Sequence, residues 1–590
     1  MSHDSVAEVE ITVFPANKFA LCPAGVRLHE ALAHMGIPLT TPCGGNGTCG
    51  KCVVRVASGH SQHERDEHGS AVQVCACQYV LRKSLVVWLP EEARPPDAMQ
   101  ILTAHQSLVS HDEAAVPLTP ESLAADGSTS EQKVLTCDVG QYVVAIDIGT
   151  TTIVAELMCV SKKPIPGMKT YQGNYLAWSL GLRSCHNPQA GFGDDVISRI
   201  QYASESPGNR ERLRMVVVDA INSLIPALVH DSTISQEEIT LIAIAGNTTM
   251  QQLFTGLDVQ SLGHSPFEPV TKHYSPAPAH RYGININPFG LVVLFPVIGG
   301  FVGGDIVAGL IATQLCSQNV PSLLIDIGTN GEIVLWQPEG DLLLAAATAA
   351  GPAFEGARIS QGMIAAQGAI ERVVIGDGLL VETIGNQPAR GICGSGLIDL
   401  VAELVRVGAI ASSGQLLTGT QLSKTVPTVI HDRFVTVDNR PAFMVVPQYE
   451  SGIDRPILLT QYDIRQVQLA AGAIRAGVTL LLRQAGLKSA DLANVFLAGG
   501  FGNYIRRENA QRIGLLPPEI PVERIQFCGN TSLAGAKAVL LSTTCHNAAR
   551  ASADKAQCID LSKSPDFSTV FAESMFFPTH CDTRVRFPTG

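Results

Sequence analysis

The 590-residue chain has no apolar segment long enough to cross a membrane. A spanning helix needs about 20 consecutive apolar residues, whereas the apolar residues of this chain come in short runs broken by glycine and charge. The first residues, MSHDSVAEVEITVF, also lack the basic and apolar regions of a secretory signal. The sequence therefore predicts a cytoplasmic protein without membrane contact.

Basic residues are scarce as well. The chain has 41 Lys and Arg against 53 Asp and Glu, which gives a formal net charge of -12. A protein that binds nucleic acid needs a basic face to neutralise phosphates. This balance excludes a nucleic-acid partner and favours proteins and small ligands.

A disulfide framework is not expected, because the cytoplasm keeps thiols reduced. The chain nevertheless has 15 cysteines, and only those from Cys43 to Cys77 are clustered. The remaining cysteines are scattered singly, and we expect them to be small buried apolar residues. The cluster indicates metal or redox chemistry.

The cysteine cluster begins with CGGNGTCGKC, residues 43–52, which fits two patterns. From Gly45 it follows the phosphate-loop pattern G-x-x-x-x-G-K, but Cys52 stands where a Ser or Thr should bind magnesium. Its C-x5-C-x2-C spacing is one residue longer than the C-x4-C-x2-C of plant-type [2Fe–2S] proteins. A structural zinc site is the other metal alternative, although such sites usually combine two short C-x2-C elements. The fourth iron ligand would be Cys75 or Cys77.

The distribution of apolar residues predicts a multidomain α/β and α+β protein. A compact α+β unit covers residues 1–95, and a linker rich in Pro, Ala and Ser, with room for a short helix, covers residues 96–139. Beyond it, apolar strands that end in glycine-rich turns alternate with amphipathic helices. The segments VVAIDIGTTTIVAEL from Val143 and LLIDIGTNGEIVLW from Leu323 are alike. They predict two similar halves, residues 140–318 and 319–590.

Each of these two segments ends a strand in the sequence Asp-Ile-Gly-Thr, an Asp-Gly-Thr turn with one apolar residue between the Asp and the Gly. The glycine lets backbone N–H groups approach phosphate oxygens, the hydroxyls donate to them, and the Asp holds Mg²⁺ directly or through water. One such turn alone could be an ordinary tight turn, but two at the starts of two α/β units favour a nucleotide site. The candidate residues are Asp147, Gly149, Thr150, Thr151, Asp326, Gly328, Thr329 and Asn330.

A third glycine-rich element, FLAGGFGNY from Phe496, also follows a strand. Its glycines Gly499, Gly500 and Gly502 leave bare backbone that can pack against an adenine or a ribose. In GGFVGGDIVAG, from Gly299, the acidic residue Asp305 follows two glycines.

Two family resemblances follow from these motifs. The hairpin, helix, cysteine loop and distant Cys-Gln pair resemble the β-grasp ferredoxins, which implies a [2Fe–2S] cluster held by Cys43, Cys49, Cys52 and Cys77. The two phosphate turns and the third glycine element resemble, in the same order, the actin-like ATPases of the acetate kinase, sugar kinase and heat-shock chaperone superfamily. That resemblance implies ATP and Mg²⁺ as ligands. Asp305 resembles the Gly-x-Asp acid of some kinases of the superfamily, which makes its carboxylate a candidate for holding a magnesium-bound water or acting as a base.

The combination of a ferredoxin unit with an actin-like ATPase resembles the reductive activators of corrinoid-dependent methyltransferases and corrinoid iron-sulfur proteins. Further segments that fit this family are NPQAGFGDDVISRI, AGNTTM, ATAAGPAFEGARISQGMI, CGSGLIDL and TQYDIRQVQLAAGAIRAG. The resemblance implies that the chain uses ATP to pass one electron from its cluster to a Co(II) corrinoid, which restores Co(I) for methyl transfer. The implied partners are a corrinoid protein and a low-potential electron donor.

Several alternatives stay open. Ser395, between two glycines, is a candidate to face the corrinoid, and a helix cap for the residues from Leu397 onward is its alternative role.

The alternative functions are an activator of a 2-hydroxyacyl-CoA dehydratase and a small-molecule kinase regulated by an iron-sulfur cluster. A family branch with [4Fe–4S] clusters in C-terminal cysteine runs is excluded, because the C-terminal cysteines stand singly. The oligomeric state is open, with a homodimer as one alternative.

Overall fold

The computed structural model describes residues 8–14, 18–35, 37, 39, 52–58, 72–90, 117–124, 140–161, 176–230, 232, 234–424, 426–499 and 505–578. None of the helices in these ranges is both long enough and apolar enough to cross a membrane. The predicted site residues Cys43, Cys49, Gly500 and Gly502 lie outside the described residues.

The N-terminal unit packs one helix against a five-stranded sheet. Its elements are β1 (Glu8–Phe14), β2 (Lys18–Pro23), α1 (Leu28–His34), β3 (Val53–Ser58), β4 (Val72–Cys75) and β5 (Leu85–Trp88). The strand order is β2-β1-β5-β3-β4, in which β1 and β5 are parallel and the other neighbours are antiparallel. Apolar residues three to four positions apart in α1 are buried against the sheet. This arrangement confirms the predicted β-grasp fold, although the sequence analysis did not predict β4.

The predicted linker contains the short helix α2 (Pro120–Ala124). Just before it, Leu118 is buried, and its N–H donates to the carbonyl oxygen of Leu540 at 3.1 Å. This end of the linker is therefore tied to the C-terminal part of the chain.

The first ATPase half is built on a six-stranded sheet flanked by helices. Its elements are β6 (Gln141–Ile148), β7 (Thr152–Ser161), β8 (Leu176–His186), α3 (Val196–Glu205), α4 (Pro207–Val229), β9 (Ile239–Gly246), α5 (Thr248–Thr255), β10 (Ala277–Pro278), α6 (Ala279–Tyr282), β11 (Leu291–Leu294) and α7 (Gly304–Ala312). The strand order is β10-β11-β9-β6-β7-β8.

The second ATPase half repeats this plan and adds two small sheets. Its elements are β12 (Ser322–Ile327), β13 (Gly331–Gln337), β14 (Leu342–Thr348), β15 (Ala369–Ile375), β16 (Leu379–Thr383), β17 (Gly391–Ile392), α8 (Gly394–Arg406), β18 (Phe434–Val437), β19 (Arg440–Val446), β20 (Ile457–Thr460), α9 (Gln461–Gln484), β21 (Asn494–Ala498), α10 (Arg507–Arg512), β22 (Ile525–Gly529), α11 (Thr531–Leu541), α12 (Thr543–Lys555), β23 (Gln557–Cys558) and α13 (Phe567–Ser574). The main sheet has the order β22-β21-β12-β13-β14-β23.

The central strands of the two large sheets are arranged alike. Strand β6 forms an antiparallel hairpin with β7 and pairs in parallel with β9. Strand β12 forms the same hairpin with β13 and pairs in parallel with β21. Because both hairpins turn at the Asp-Gly-Thr sequences, the sequence repeat is also a structural repeat, and the predicted actin-like fold of two similar halves is confirmed.

Helix α9 begins where the sequence indicates. The hydroxyl of Thr460 accepts from the N–H of Asp463 at 3.3 Å, and the carboxylate of Asp463 accepts from the N–H of Thr460 at 2.9 Å. These two bonds form the predicted capping box. The other oxygen of Asp463 accepts from the N–H of Ser360 at 2.7 Å, so the cap also holds the loop around Ser360.

The two halves meet where α7 crosses α11. The backbones come so close that a Cβ atom added to Gly535 would lie 2.1 Å from the carbonyl oxygen of Ala308. Gly309 lies on the same side of α7, and its added Cβ would be 3.1 Å from the hydroxyl of Thr531. Small residues are therefore required at this crossing, and they bring the N-termini of α7 and α11 to one place.

We predict that Gly535→Ala lowers the melting temperature. In a helix, alanine is more favourable than glycine by about 1 kcal/mol, but the backbone clash should outweigh this gain by about 1–3 kcal/mol. Thermal unfolding of Gly376→Ala is the control, because no heavy atom lies within 4 Å of an added Cβ at Gly376. A Gly535→Ala protein that melts at or above the wild-type temperature would contradict the close crossing.

Candidate nucleotide site and cluster ligands

The two Asp-Gly-Thr turns face one cleft between the halves. The predicted residues that line it are Asp147, Gly149, Thr150, Thr151, Asp305, Asp326, Gly328, Thr329, Asn330 and Gly499. The structure thus brings together the described residues that the sequence assigns to nucleotide and magnesium.

Asp147 is held by the opposite half. Its two carboxylate oxygens accept from the side-chain amide of Asn530 at 2.8 Å and from the hydroxyl of Ser532 at 2.7 Å. The pKa of the Asp147 carboxyl is raised above its ordinary value by burial, and these two hydrogen bonds offset part of that rise. Asp147 therefore has donors that stabilise its charge and also tie β6 to the start of α11.

Asp326 has the equivalent place in the second half but faces acids. Burial, and then the charge of Asp147, raise its pKa to about 7. Burial, and then the charge of Asp326, raise the pKa of Asp305 to about 8. Glu332, opposite Asp326 on β13, is also buried, and burial and the charge of Asp305 raise its pKa. Such a group of carboxylates favours a bound cation, because a cation offsets both the burial and the repulsion.

A magnesium ion fits this group only with help from a ligand or water. In the described part of the chain, no three His, Cys, Asp or Glu side chains lie close enough to hold a metal ion by themselves. Mg²⁺ usually keeps several waters and uses one or two carboxylates together with substrate phosphates. The half-buried Asp305 and Asp326 suit that mode of binding.

Glu355 joins the two phosphate turns. Its Oε2 accepts from the hydroxyl of Thr329 at 2.7 Å and from that of Thr151 at 3.5 Å. The pKa of the Glu355 carboxyl is raised above its ordinary value by burial, and these hydrogen bonds offset part of that rise. A phosphate between the turns would use the same hydroxyl donors, so Glu355 and a terminal phosphate compete for them.

The first phosphate turn is held from behind by residues 187–199. The side-chain amide of Asn187 donates to the carbonyl oxygen of Gly149, and its backbone N–H donates to that of Thr151, both at 2.8 Å. The buried Arg199 donates to the carbonyl oxygen of Thr150 at 2.6 Å. All three carbonyls of Gly149-Thr150-Thr151 therefore bond to this segment.

Sequence reasoning missed Glu355, Glu332, Asn530 and Ser532. For the last two a signal was present, because Gly-Asn-Thr-Ser at residues 529–532 repeats the Gly-Asn-Thr-Thr of residues 246–249. Both stretches end a strand and begin a helix, and Asn247 and Asn530 cap α5 and α11. The amide of Asn247 also donates to the hydroxyl of Thr150 at 3.0 Å.

Gly499 is needed for a reason other than the expected contact with adenosine. Its φ is +105°, and an added Cβ would lie 2.3 Å from the carbonyl oxygen of Ile327 and 3.0 Å from Asp326 Oδ1. A side chain at this position would push the second phosphate turn aside. An adenosine contact for the glycine element stays a prediction.

Ser395 lies in the first turn of α8, and Cys393 is the residue that precedes the helix. The serine is therefore not the cap, contrary to the alternative weighed from the sequence. Its side chain is buried, with Oγ 3.4 Å from Cys393 Sγ. Gly394 lines the cleft, which places Ser395 beside the nucleotide site; its role toward a corrinoid stays a prediction.

Two of the predicted cluster ligands, Cys52 and Cys77, are described. Both are buried, and their thiols hydrogen-bond with each other. Burial raises the pKa of Cys52 to about 12, and the nearby thiols of Cys77 and Cys75 add to it. Crowded thiols fit an iron site, since iron binds them as thiolates. After Cys52 the chain enters a strand rather than the helix that a phosphate loop requires, which excludes that alternative.

Comparison with known proteins agrees with these features. Residues 11–82 match the 2Fe-2S iron-sulfur cluster binding domain, residues 142–318 the RACo middle region, and residues 320–588 the C-terminal domain of RACo, the ASKHA domain. The chain is 32% identical to the "Corrinoid activation enzyme RamQ" of Eubacterium limosum over 87% of its length and 90% of that protein. The chain belongs to the RACo family.

Two other proteins extend the RACo comparison. The "[Co(II) methylated amine-specific corrinoid protein] reductase" of Methanosarcina barkeri is 25% identical, over 68% of this chain and 70% of that protein. The solved structure titled "Reductive activator for corrinoid,iron-sulfur protein" is 32% identical and superimposes with a TM-score of 0.66 over 97% of this chain and 98% of that chain. The family match confirms the [2Fe–2S] domain, against the zinc alternative, and the actin-like ATPase domain.

The raised pKa values of Asp305 and Asp326 predict a pH effect. An acid whose pKa is higher in the folded protein keeps a proton that the unfolded chain releases, so raising the pH from about 4 to about 8 lowers the free energy of unfolding. One group contributes at most about 1.4 kcal/mol per pH unit. We expect Asp305→Asn to melt higher than wild type at pH 8 but not at pH 4. Equal differences at both pH values would contradict the raised pKa.

A second prediction concerns the fourth iron ligand. Cys77 is buried against Cys52, whereas Cys75 is partly exposed at the end of β4. We expect Cys77→Ser to lose the visible absorbance and the iron of the [2Fe–2S] cluster, and Cys75→Ser to keep both. Equal losses in the two variants would show that Cys77 is not the specific ligand.

Proposed function

We propose that this chain is an ATP-dependent reductive activator of a corrinoid protein. In this function it passes one low-potential electron from its [2Fe–2S] cluster to a Co(II) corrinoid and so restores Co(I) for methyl transfer. The observation that carries the proposal is that one chain combines cluster thiols with an acid-rich nucleotide cleft, in a sequence that aligns with a corrinoid activation enzyme over 87% of its length.

The electron transfer explains why such a protein needs ATP. A plant-type cluster has a potential of about -400 mV, and we expect the Co(II)/Co(I) couple of a corrinoid to lie lower. Each 100 mV of difference costs about 2.3 kcal/mol per electron. ATP can help only if its binding or hydrolysis favours one state of the complex over another.

The residues of the cleft have separate tasks in this function. The N–H groups of Gly149 and Gly328 close their own turns, so the phosphate donors are the N–H groups of the residues that follow them and the hydroxyls of Thr150, Thr151 and Thr329. Asp305 and Asp326 hold magnesium together with the phosphates, while Asp147 stays bound to Asn530 and Ser532. Magnesium ATP supplies the free energy of phosphoryl transfer to water.

The proposed function predicts that nucleotide use and cluster reduction can be separated. Asp326→Ala should keep a reducible cluster with a normal spectrum but lose ATP-dependent Co(I) formation. Cys49→Ala should keep ATP binding and also lose Co(I) formation. Asp377→Ala, on the exposed turn between β15 and β16, is the control and should behave as wild type.

The measurement is the corrinoid absorbance during reduction with a chemical donor, with and without ATP. Full Co(I) yield from Asp326→Ala would show that this turn does not drive the reaction. A phosphorylated small molecule, instead of free phosphate, as the product of ATP turnover would support the kinase alternative. The corrinoid partner follows from this proposal; the electron donor, a homodimer and the cytoplasmic location stay predictions from the sequence.

A further inference from the structure

The ferredoxin unit contacts the ATPase through its single described helix, α1. The methyl group of Ala33 packs against the core of the first ATPase half. At Gly191, in the turn Pro188–Gly191, an added Cβ would lie only 2.9 Å from the Cβ of Ala33. Glu30, one turn earlier on α1, lies close enough to Arg212 of α4 and to Glu205 of α3 for their charges to interact, the first attractively and the second repulsively. The helix is thus fitted to a surface made by residues 188–191 and the start of α4.

The same helix is bonded to the cluster end of its own unit. The N–H of His29 donates to the carbonyl oxygen of Ala76 at 3.2 Å, and that of Leu28 to the carbonyl oxygen of Tyr79 at 2.8 Å. Ala76 precedes the proposed iron ligand Cys77. A shift of α1 therefore moves the turn after β4, which carries this ligand.

On the opposite side, the turn Pro188–Gly191 is bonded to the nucleotide site. Asn187 accepts from the N–H of Gln189 at 3.0 Å and donates to Gly149 and, through its backbone, to Thr151. The guanidinium of Arg199 donates to Gln189 at 3.2 Å and to the carbonyl oxygen of Thr150 at 2.6 Å. Gln189 donates to the carbonyl oxygen of Leu213 in α4 at 3.0 Å. One short segment therefore bonds to both the phosphate turn and the helix that forms the surface.

We propose that the surface formed by residues 188–191 and the start of α4 is a nucleotide-dependent docking surface for the chain's own ferredoxin unit, with α1 as its occupant. A phosphate uses the N–H side of the turn Gly149-Thr150-Thr151, and residues 187–199 hold the carbonyl side. A change in the turn on nucleotide binding is transmitted to Gly191 through Asn187 and Gln189. It therefore changes the affinity of α1 for this surface. The inference rests on the proposed function, because it describes how ATP use and the position of the cluster are linked.

Thermodynamic linkage gives this proposal a sharp consequence. If a nucleotide changes the docking of α1 by some factor, loss of docking changes the nucleotide Kd by the same factor. Couplings between sites are typically 5–150-fold. An α1 contact that only fills space would leave the nucleotide Kd unchanged.

The test uses the full chain with its cluster and the variant Ala33→Arg, whose long side chain has no room against Gly191. The Kd of a non-hydrolysable ATP analogue with Mg²⁺ is measured by calorimetry, and amide hydrogen exchange is followed in peptides from α1 and from the first phosphate turn. We expect at least a fivefold change in Kd, faster exchange in α1, and altered exchange in the phosphate turn. Phe19→Arg, on an exposed position of β2, is the control and should keep the wild-type Kd within twofold.

Three results would overturn the proposal. One is faster exchange in α1 of Ala33→Arg with a Kd within twofold of wild type. Another is wild-type exchange in α1 for both Ala33→Arg and the second variant Ala33→Glu, which would show that the contact does not exist in solution. The third is a Kd change of the same size in Phe19→Arg. If Ala33→Arg loses its cluster absorbance, Ala33→Glu carries the same expectations. The assay contains no corrinoid, so failure of the proposed function would be recognised separately, from the absence of Co(I) formation.

Discussion

The close crossing of α7 and α11 is the constraint on which the nucleotide site depends. Gly535 and Ala308 let the two backbones touch, and this contact directs the N-termini of both helices into the cleft. Each helix then presents its first residues to the Asp of a phosphate turn: α11 offers Asn530 and Ser532 to Asp147, and α7 offers Asp305 to Asp326. Larger side chains at the crossing would separate the halves and leave both aspartates without their neighbours.

The same crossing makes the two similar halves chemically different. Asp147 receives two hydrogen bonds across the cleft, and its charge in turn helps to raise the pKa of Asp326, which also lies near Asp305. Two donors stabilise the charge of a carboxylate, whereas acids that lie close together favour a shared proton or a bound cation. The duplicated sequence thus yields one aspartate that two hydrogen bonds tie to the other half, and one whose pKa is raised to about 7 by burial and by the charge of Asp147.

Local patterns made much of this structure predictable. The capping box at Thr460, the repeat at Val143 and Leu323, and the grouping of Cys52 with Cys77 each depend on residues near in sequence or on spacing, and each appears as expected. The partners of Asp147 could not be read in this way, because they lie 383 and 385 residues away along the chain. Gly499 is a second residue whose role could not be predicted from the local sequence. Its glycine pattern was visible, but its reason, the proximity of Ile327 and Asp326, belongs to a neighbouring strand.

The phosphate turns also show how the ATPase part of this chain can be connected to the ferredoxin unit through a short segment. A turn that binds phosphate through its N–H groups leaves its carbonyl groups on the other side, and buried carbonyls must find donors. In the first half these donors are Asn187 and Arg199, which belong to the segment that also contacts α1. Both turns are also closed by a bond of their own glycine: the N–H of Gly149 donates to the carbonyl oxygen of Thr152, and that of Gly328 to the carbonyl oxygen of Asn330. The donors that satisfy the carbonyl side of the first phosphate turn therefore belong to the same short segment that contacts α1, so one set of hydrogen bonds lies between the nucleotide cleft and the ferredoxin unit.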